Sequence, residues 1–231
     1  MKASIFLDKI KKLGIDTIAG VPDSTLKQLC DAICLDQGKT FQHYVTHNEG
    51  AAVGLATGVY LATGKPACIY MQNSGEGNII NPLASIANDE VYGIPMLFVI
   101  GWRGEPGVKD EPQHVYQGKV TCKLLEVMGV SYNILDADTT EEMLDTYFAK
   151  AMECFRQQKQ YAVVIKKGTF EPSESFQWEN GHSLGREEAL GCILKELYED
   201  CYFVSTTGKI SRELYEQSNL IYGNHDRIFM T

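Results

Sequence analysis

Apolar and polar positions follow two rhythms along this chain, and the switches between them mark out its elements. Ile5, Phe6, Ile10 and Leu13 recur at helical spacing and predict a helix over 3–13, followed by a short apolar strand at 17–20. A second helix is expected over 24–35, opened by Asp23 or Ser24. The run 41–46 reads as a strand that turns a polar corner into a helix of Gly, Ala, Val and Leu through Gly58. Residues 67–72 and 96–100 are apolar on both faces, as strands covered by helices on both sides should be. Between them a helix is predicted at 78–91, and after a long polar loop another at 120–128. A strand at 131–135, a helix capped at Thr139-Thr140-Glu141-Glu142 and ending near Gln158, and a sixth strand at 162–166 complete the series. Strands alternating with helices in this way predict an α/β fold, an open six-stranded parallel sheet with helices on both faces.

From Gly168 to Gly185 periodicity stops and Gly, Pro, Ser, Glu and Asn take over, which marks a linker. Beyond it a helix at 186–199, a strand at 202–205, the turn Thr206-Thr207-Gly208-Lys209, another helix and an apolar run at 227–231 predict the start of a second α/β unit. That last run has nothing after it in the sequence to pack against, so the second unit is expected to be incomplete.

Composition narrows the possibilities. With 231 residues, 44% of them hydrophobic and 22% charged, the chain has an ordinary globular makeup. A formal net charge of -9 and the lack of clustered Lys and Arg argue against a nucleic-acid surface. The 7 Cys are odd in number and show no Cys-x-x-Cys spacing, which points to free thiols in a reducing, cytoplasmic setting. The N-terminus lacks the pattern of a signal peptide and no apolar run is long enough to span a bilayer, so no membrane role is expected.

In open parallel sheets, ligands sit at the carboxyl ends of the strands. The four corners expected on that edge are Gly20-Val21-Pro22-Asp23-Ser24, His47-Asn48-Glu49, Gln72-Asn73-Ser74-Gly75-Glu76-Gly77-Asn78, and Gly101-Trp102-Arg103-Gly104-Glu105-Pro106-Gly107 running on to His114. Each alone is compatible with turn chemistry, and Glu49 alone with capping its helix. Gly75-Glu76-Gly77 is a poor nucleotide fingerprint, because the strand that should end in a ribose-binding acid ends in Gly101-Trp102. Ser74 lacks a nucleophile elbow, since Gln72 stands where a glycine is needed, and His47 and His114 have no metal-ligand spacing.

As a set, these corners resemble the pyrimidine-binding domain of thiamine diphosphate-dependent 2-oxoacid decarboxylases, nearest to members whose substrates carry a phosphonate and next to those acting on a sulfonate. The segment from Ser205 to Tyr215 resembles the opening of that family's diphosphate-binding domain, but the family's Gly-Asp-Gly segment is absent. The resemblance implies a pyrimidine-binding domain at 1–167, a linker at 168–185 and a truncated diphosphate-binding domain at 186–231. It further implies that Glu49, with a raised pKa, activates the cofactor through its pyrimidine, and that Asp23 and His114 move protons near the reacting carbon. Gln72, Asn73, Ser74, Gly75, Thr207 and Gly208 would touch the cofactor. Ser24, Arg103, Lys109 and Arg212 are candidates for the anionic substrate. No metal ligand is assigned within the chain, and Mg2+ is expected to be held by the missing part of the second domain, leaving this chain inactive by itself. A homodimer or larger homo-oligomer is implied, with a small anionic 2-oxoacid as substrate. Two other readings stand beside this one: a flavodoxin-like nucleotide-binding module, and a subunit that needs a separate diphosphate-binding chain.

Overall fold

The computed structural model describes residues 1–177, 181–206 and 208–230, which form two compact units, Met1–Phe176 and Gln177–Thr231. The first unit holds six strands: β1 (Thr17–Gly20), β2 (Gln42–Val45), β3 (Ala67–Gln72), β4 (Met96–Gly101), β5 (Ser131–Leu135) and β6 (Tyr161–Ile165). All are parallel, in the order β2-β1-β3-β4-β6-β5. This is the open parallel sheet expected from the alternating pattern.

Alternation along the strands divides the interior into two cores. Ile18, Cys68, Tyr70, Leu97, Val99, Val163 and Ile165 face α1 (Ala3–Lys12), α2 (Lys27–Asp36) and α6 (Glu141–Arg156), where Phe6, Leu29 and Phe148 are buried. Ala19, Ile69, Met71, Phe98, Ile100 and Val164 face α3 (Glu49–Thr63), α4 (Glu76–Pro82) and α5 (Pro112–Val127). Strands β3, β4 and β6 are buried along nearly all their length because helices cover both their faces, whereas β2 lies at the edge with Tyr44 and Val45 exposed.

Three helices depart from the expected limits, each for a local reason. The helix expected at 24–35 starts only at Lys27, because Asp23 folds the preceding residues into a turn, its Oδ2 accepting from Thr25 N at 2.8 Å. The helix expected at 78–91 starts at Glu76, passes through Pro82 into a π-helical turn at Leu83–Ala87, and stops at Asn88. The one expected at 120–128 begins at Pro112, where proline is preorganised for a first helical turn. The long loop after β4 is therefore shorter than the sequence suggests, and His114 stands in the first turn of α5.

Residues 168–176 pack on the first unit rather than leaving it. Thr169 and Phe170 are buried, Phe170 meets Phe6 edge-on at 5.4 Å, and Glu171 N donates to Met1 O at 2.9 Å. The second unit comprises α7 (Arg186–Leu197), β7 (Phe203–Ser205), α8 (Lys209–Tyr222) and β8 (Ile228–Met230). Its core is small: Leu194, Tyr198 and Leu214, with Tyr198 stacked on Tyr222 at 3.9 Å. The final apolar run pairs in parallel with β7. All seven cysteines are free, and among the described residues no helix is long and apolar enough to cross a membrane.

Candidate active site

The corners after β1, β2, β3 and β4 lie together at the carboxyl edge of the sheet. At the β2 corner, Asn48 is the residue that caps α3: its Oδ1 accepts from Ala51 N at 2.8 Å. That leaves Glu49, the first residue of the helix, free for other work. Glu49 is 8% exposed, and its Oε2 accepts from Asn78 Nδ2 at 2.7 Å. Its Oε1 takes no hydrogen bond among the described residues. Glycine at position 75 makes this placement possible, since a Cβ there would fall 2.4 Å from the Glu49 carboxyl carbon.

A string of polar contacts runs from this point across the sheet edge. Ser74 Oγ donates to Gln72 Oε1 at 2.8 Å, and Gln72 Nε2 donates to Asp23 Oδ1 at 2.6 Å. Asp23, 7% exposed, thereby joins the β1 corner to the β3 corner. At the β4 corner, Arg103 grips Asp110 through Nε and Nη2, and Gly104 N donates to the same carboxylate at 2.7 Å. The Arg103 guanidinium holds the Asp110 carboxyl far below the ordinary carboxylate range. Arg103 Nη1 also reaches Ser24 Oγ at 3.4 Å.

Asn73 follows β3 directly at this edge. It is fully buried, its Nδ2 donating to Arg103 O and Thr121 Oγ1 at 2.8 Å each and its Oδ1 accepting from Arg103 N at 3.0 Å. Its side chain clasps the β4 corner to α5. Close packing completes the clasp: a Cβ at Gly118 of α5 would fall 1.8 Å from Gly104 O.

His114, half-buried in the first turn of α5, has its pKa lowered by burial first and by the Arg103 charge second, with Asp110 and Asp23 opposing. It is neutral at neutral pH and can accept a proton. Ser24, Arg103 and Lys109 line one cavity of about 640 Å³, together with Lys167, which sequence reasoning did not single out. Arg212 and Gly208 belong to the second unit, at and near the start of α8, and Thr207 lies outside the described residues.

One further acid escaped the sequence reading, where it was only the middle of Gly75-Glu76-Gly77. Glu76 is 2% exposed, its Oε1 has no partner, and its Oε2 lies 3.5 Å from Gln117 Nε2. Burial pushes its carboxyl up to about 8, with the neighbouring Thr121 and Gln117 side chains acting in the opposite direction. The signal was an acid inside a glycine corner that opens a buried helix.

Residues 2–125 match the family model of the thiamine pyrophosphate enzymes, N-terminal TPP binding domain, which takes in all four corners. The chain belongs to this family. A phosphonopyruvate decarboxylase from Streptomyces viridochromogenes is 34% identical over 219 residues, 88% of this chain and 54% of that protein. The sulfopyruvate decarboxylase subunit alpha of Methanococcus maripaludis is 37% identical over 119 residues, 52% of this chain and 68% of the subunit. The chain thus spans about half the length of the phosphonopyruvate decarboxylases it matches. An X-ray structure from Mycobacterium smegmatis, assigned to the thiamin diphosphate-dependent enzymes, superposes on 94% of this chain and 41% of its own at a TM-score of 0.51 and 16% identity, a likeness of fold. The residues present fit the pyrimidine half of thiamine diphosphate: a sheltered carboxylate with an unused oxygen, relieved of capping, in a cradle that a Cβ at Gly75 would fill.

Proposed function

We propose that the chain is the pyrimidine-binding part of an enzyme that decarboxylates phosphonopyruvate to phosphonoacetaldehyde and carbon dioxide. The observation that carries this reading is the free Oε1 of Glu49 at the strand edge, beside a helix that Asn48 already caps. Thiamine diphosphate, when bound, supplies the electron sink that lets carbon dioxide leave a 2-oxoacid. With the cofactor bound, Glu49 would hold a proton at the pyrimidine N1′. Gln72 orients Asp23, and Asp23 with the neutral His114 gives and takes protons beside the reacting carbon. Ser74 and Gly75 would line the cofactor's side, and Asn73 acts from behind by holding the β4 corner. Mg2+ belongs with the diphosphate, whose Gly-Asp-Gly segment this sequence does not contain.

The 1–167 domain, the 168–185 connection and the 186–231 start of a diphosphate-binding domain together make up this part of the enzyme, which works in the cytoplasm. The chain pairs with a second copy through the α3 face, where a Cβ at Gly54 or Gly58 would meet open space and Leu61 is exposed. Sedimentation equilibrium at rising concentration should show a dimer; a persistent monomer removes this pairing. The full-length enzyme should release carbon dioxide from phosphonopyruvate only with thiamine diphosphate present. No release, or release without the cofactor, overturns the reading. Kinship with the sulfopyruvate decarboxylase alpha subunit supports a second reading, the same chemistry on a sulfonate.

A further inference from the structure

We propose that the cavity lined by Ser24, Arg103, Lys109 and Lys167 binds the dianionic phosphonate tail of the substrate, with Lys109 and Lys167 selecting a phosphonate over a sulfonate. This rests on the decarboxylase reading above and names the group that chooses its substrate. The cavity, about 640 Å³, has the size of a small-molecule site. It adjoins the β1 corner, since Ser24 and Thr25 of its wall follow Asp23 directly.

Its charges decide what it can hold. Three carboxylates line the wall, and each already has a cation of its own. Asp110 is gripped by Arg103; Glu105 pairs with Lys166 at 2.7 Å; Glu171 pairs with the Met1 ammonium at 3.5 Å. Lys166 and Met1 answer from outside the wall. Lys109 and Lys167 remain, and among the described residues their ammonium groups make neither an ion pair nor a hydrogen bond. The cavity therefore carries two uncompensated positive charges. Gln28, in the first turn of α2, is part of the wall, so the N-terminal end of that helix borders the cavity. Arg103 keeps its charge, but that charge is matched by Asp110, so its part is to hold Ser24 and the loop in place.

A sulfonate carries a single negative charge at every ordinary pH, whereas a phosphonate takes up its second near neutrality. Two lysines, compact point charges suited to phosphate-like oxygens, match the dianion. With a monoanion, one lysine would stay unanswered.

The test titrates this chain with methylphosphonate and with methanesulfonate at pH 8, followed by calorimetry, with the phosphonate also followed by phosphorus NMR. Methylphosphonate should saturate the protein and methanesulfonate should bind at least severalfold more weakly. Lys109→Gln and Lys167→Gln should each weaken methylphosphonate by about fivefold, as for a partly solvated ion pair, and the double variant should abolish the preference. Lys123→Gln, on the exposed side of α5, should change nothing. Absence of saturable binding, equal binding of the two anions, or binding indifferent to both cavity lysines overturns the proposal. Steady-state kinetics of the full-length enzyme separate it from the decarboxylase reading. If carbon dioxide is released but the KM for phosphonopyruvate is untouched by Lys109→Gln and Lys167→Gln, the cavity proposal fails alone. If methylphosphonate binds as stated and no carbon dioxide is released, the decarboxylase reading fails and the anion site stands.

Discussion

Glu49 and Glu76 occupy matching places in the fold. Each is the first residue of a helix that follows a parallel strand, each lies at the same edge of the sheet, and they are 8% and 2% exposed. Their surroundings differ in kind. Asn48 caps the helix of Glu49 and Asn78 holds one of its oxygens, so the other is left at the edge where a ligand can reach it. No side chain caps the helix of Glu76, and its carboxyl is shut between the β3 corner and α5, with one oxygen unpartnered. Burial alone therefore does not mark a catalytic acid. An unpartnered oxygen left at the sheet edge is the ground on which the role proposed for Glu49 rests.

The comparison breaks most plainly on Glu49→Gln in the full-length enzyme. Turnover should fall by roughly 10²–10⁴, the span of a lost proton-transfer group, with hydrogen-deuterium exchange at the cofactor's reacting carbon slowed to match. Melting temperature should hardly move, because Asn48 carries the cap. Normal exchange in a less stable protein would restore Glu49 to a structural role.

Glu76→Gln should act on stability and its pH dependence. The Glu76 carboxyl goes from 4.5 to about 8 on folding, so the folded state holds its proton more tightly than the unfolded state. The stability this provides is fully present below about pH 4.5 and is lost as pH rises through about 8, at about 1.4 kcal/mol per pH unit. Wild-type protein should lose stability to denaturant between pH 5 and 8 by on the order of 3 kcal/mol more than the variant does. Parallel curves for the two proteins would show that Glu76 ionises freely in the fold.

The smallest effect is expected from Asn48→Ala, which removes the cap and leaves the acid. It should cost about 1 kcal/mol by chemical denaturation while turnover stays within a factor of a few. A loss as large as that of Glu49→Gln would mean that the cap, and not the carboxyl alone, sets the site.

Much of this architecture could be read from residue order because its signals are local. Strands covered on both faces are apolar on both faces, and Ala67 to Gln72 and Met96 to Ile100 show it. Asp23, Glu49 and Gln72 were legible as edge residues because a parallel sheet brings every strand's carboxyl end to one side. The start of α5 was missed although Pro112 announces it, since the polar run before it reads as loop until tertiary packing on Gly104 fixes the first turn. The direction of the Asn73 side chain was not legible for a related reason. A corner residue can turn outward to a ligand or inward to a clasp, and only the backbone of Arg103 and the hydroxyl of Thr121, 30 and 48 positions away, decide which.

The sequence by itself determined the order of elements, the parallel sheet and the edge where chemistry gathers, because periodicity and turn chemistry act between near neighbours. The tertiary structure alone decided which acid has an oxygen to spare and which lysines lack a partner. Those outcomes depend on charges and donors from distant segments, Asn78 beside Glu49, Lys166 beside Glu105 and the Met1 ammonium beside Glu171, meeting at a few ångströms. At that range solvation and pairing, which no local pattern encodes, set what each group is free to do.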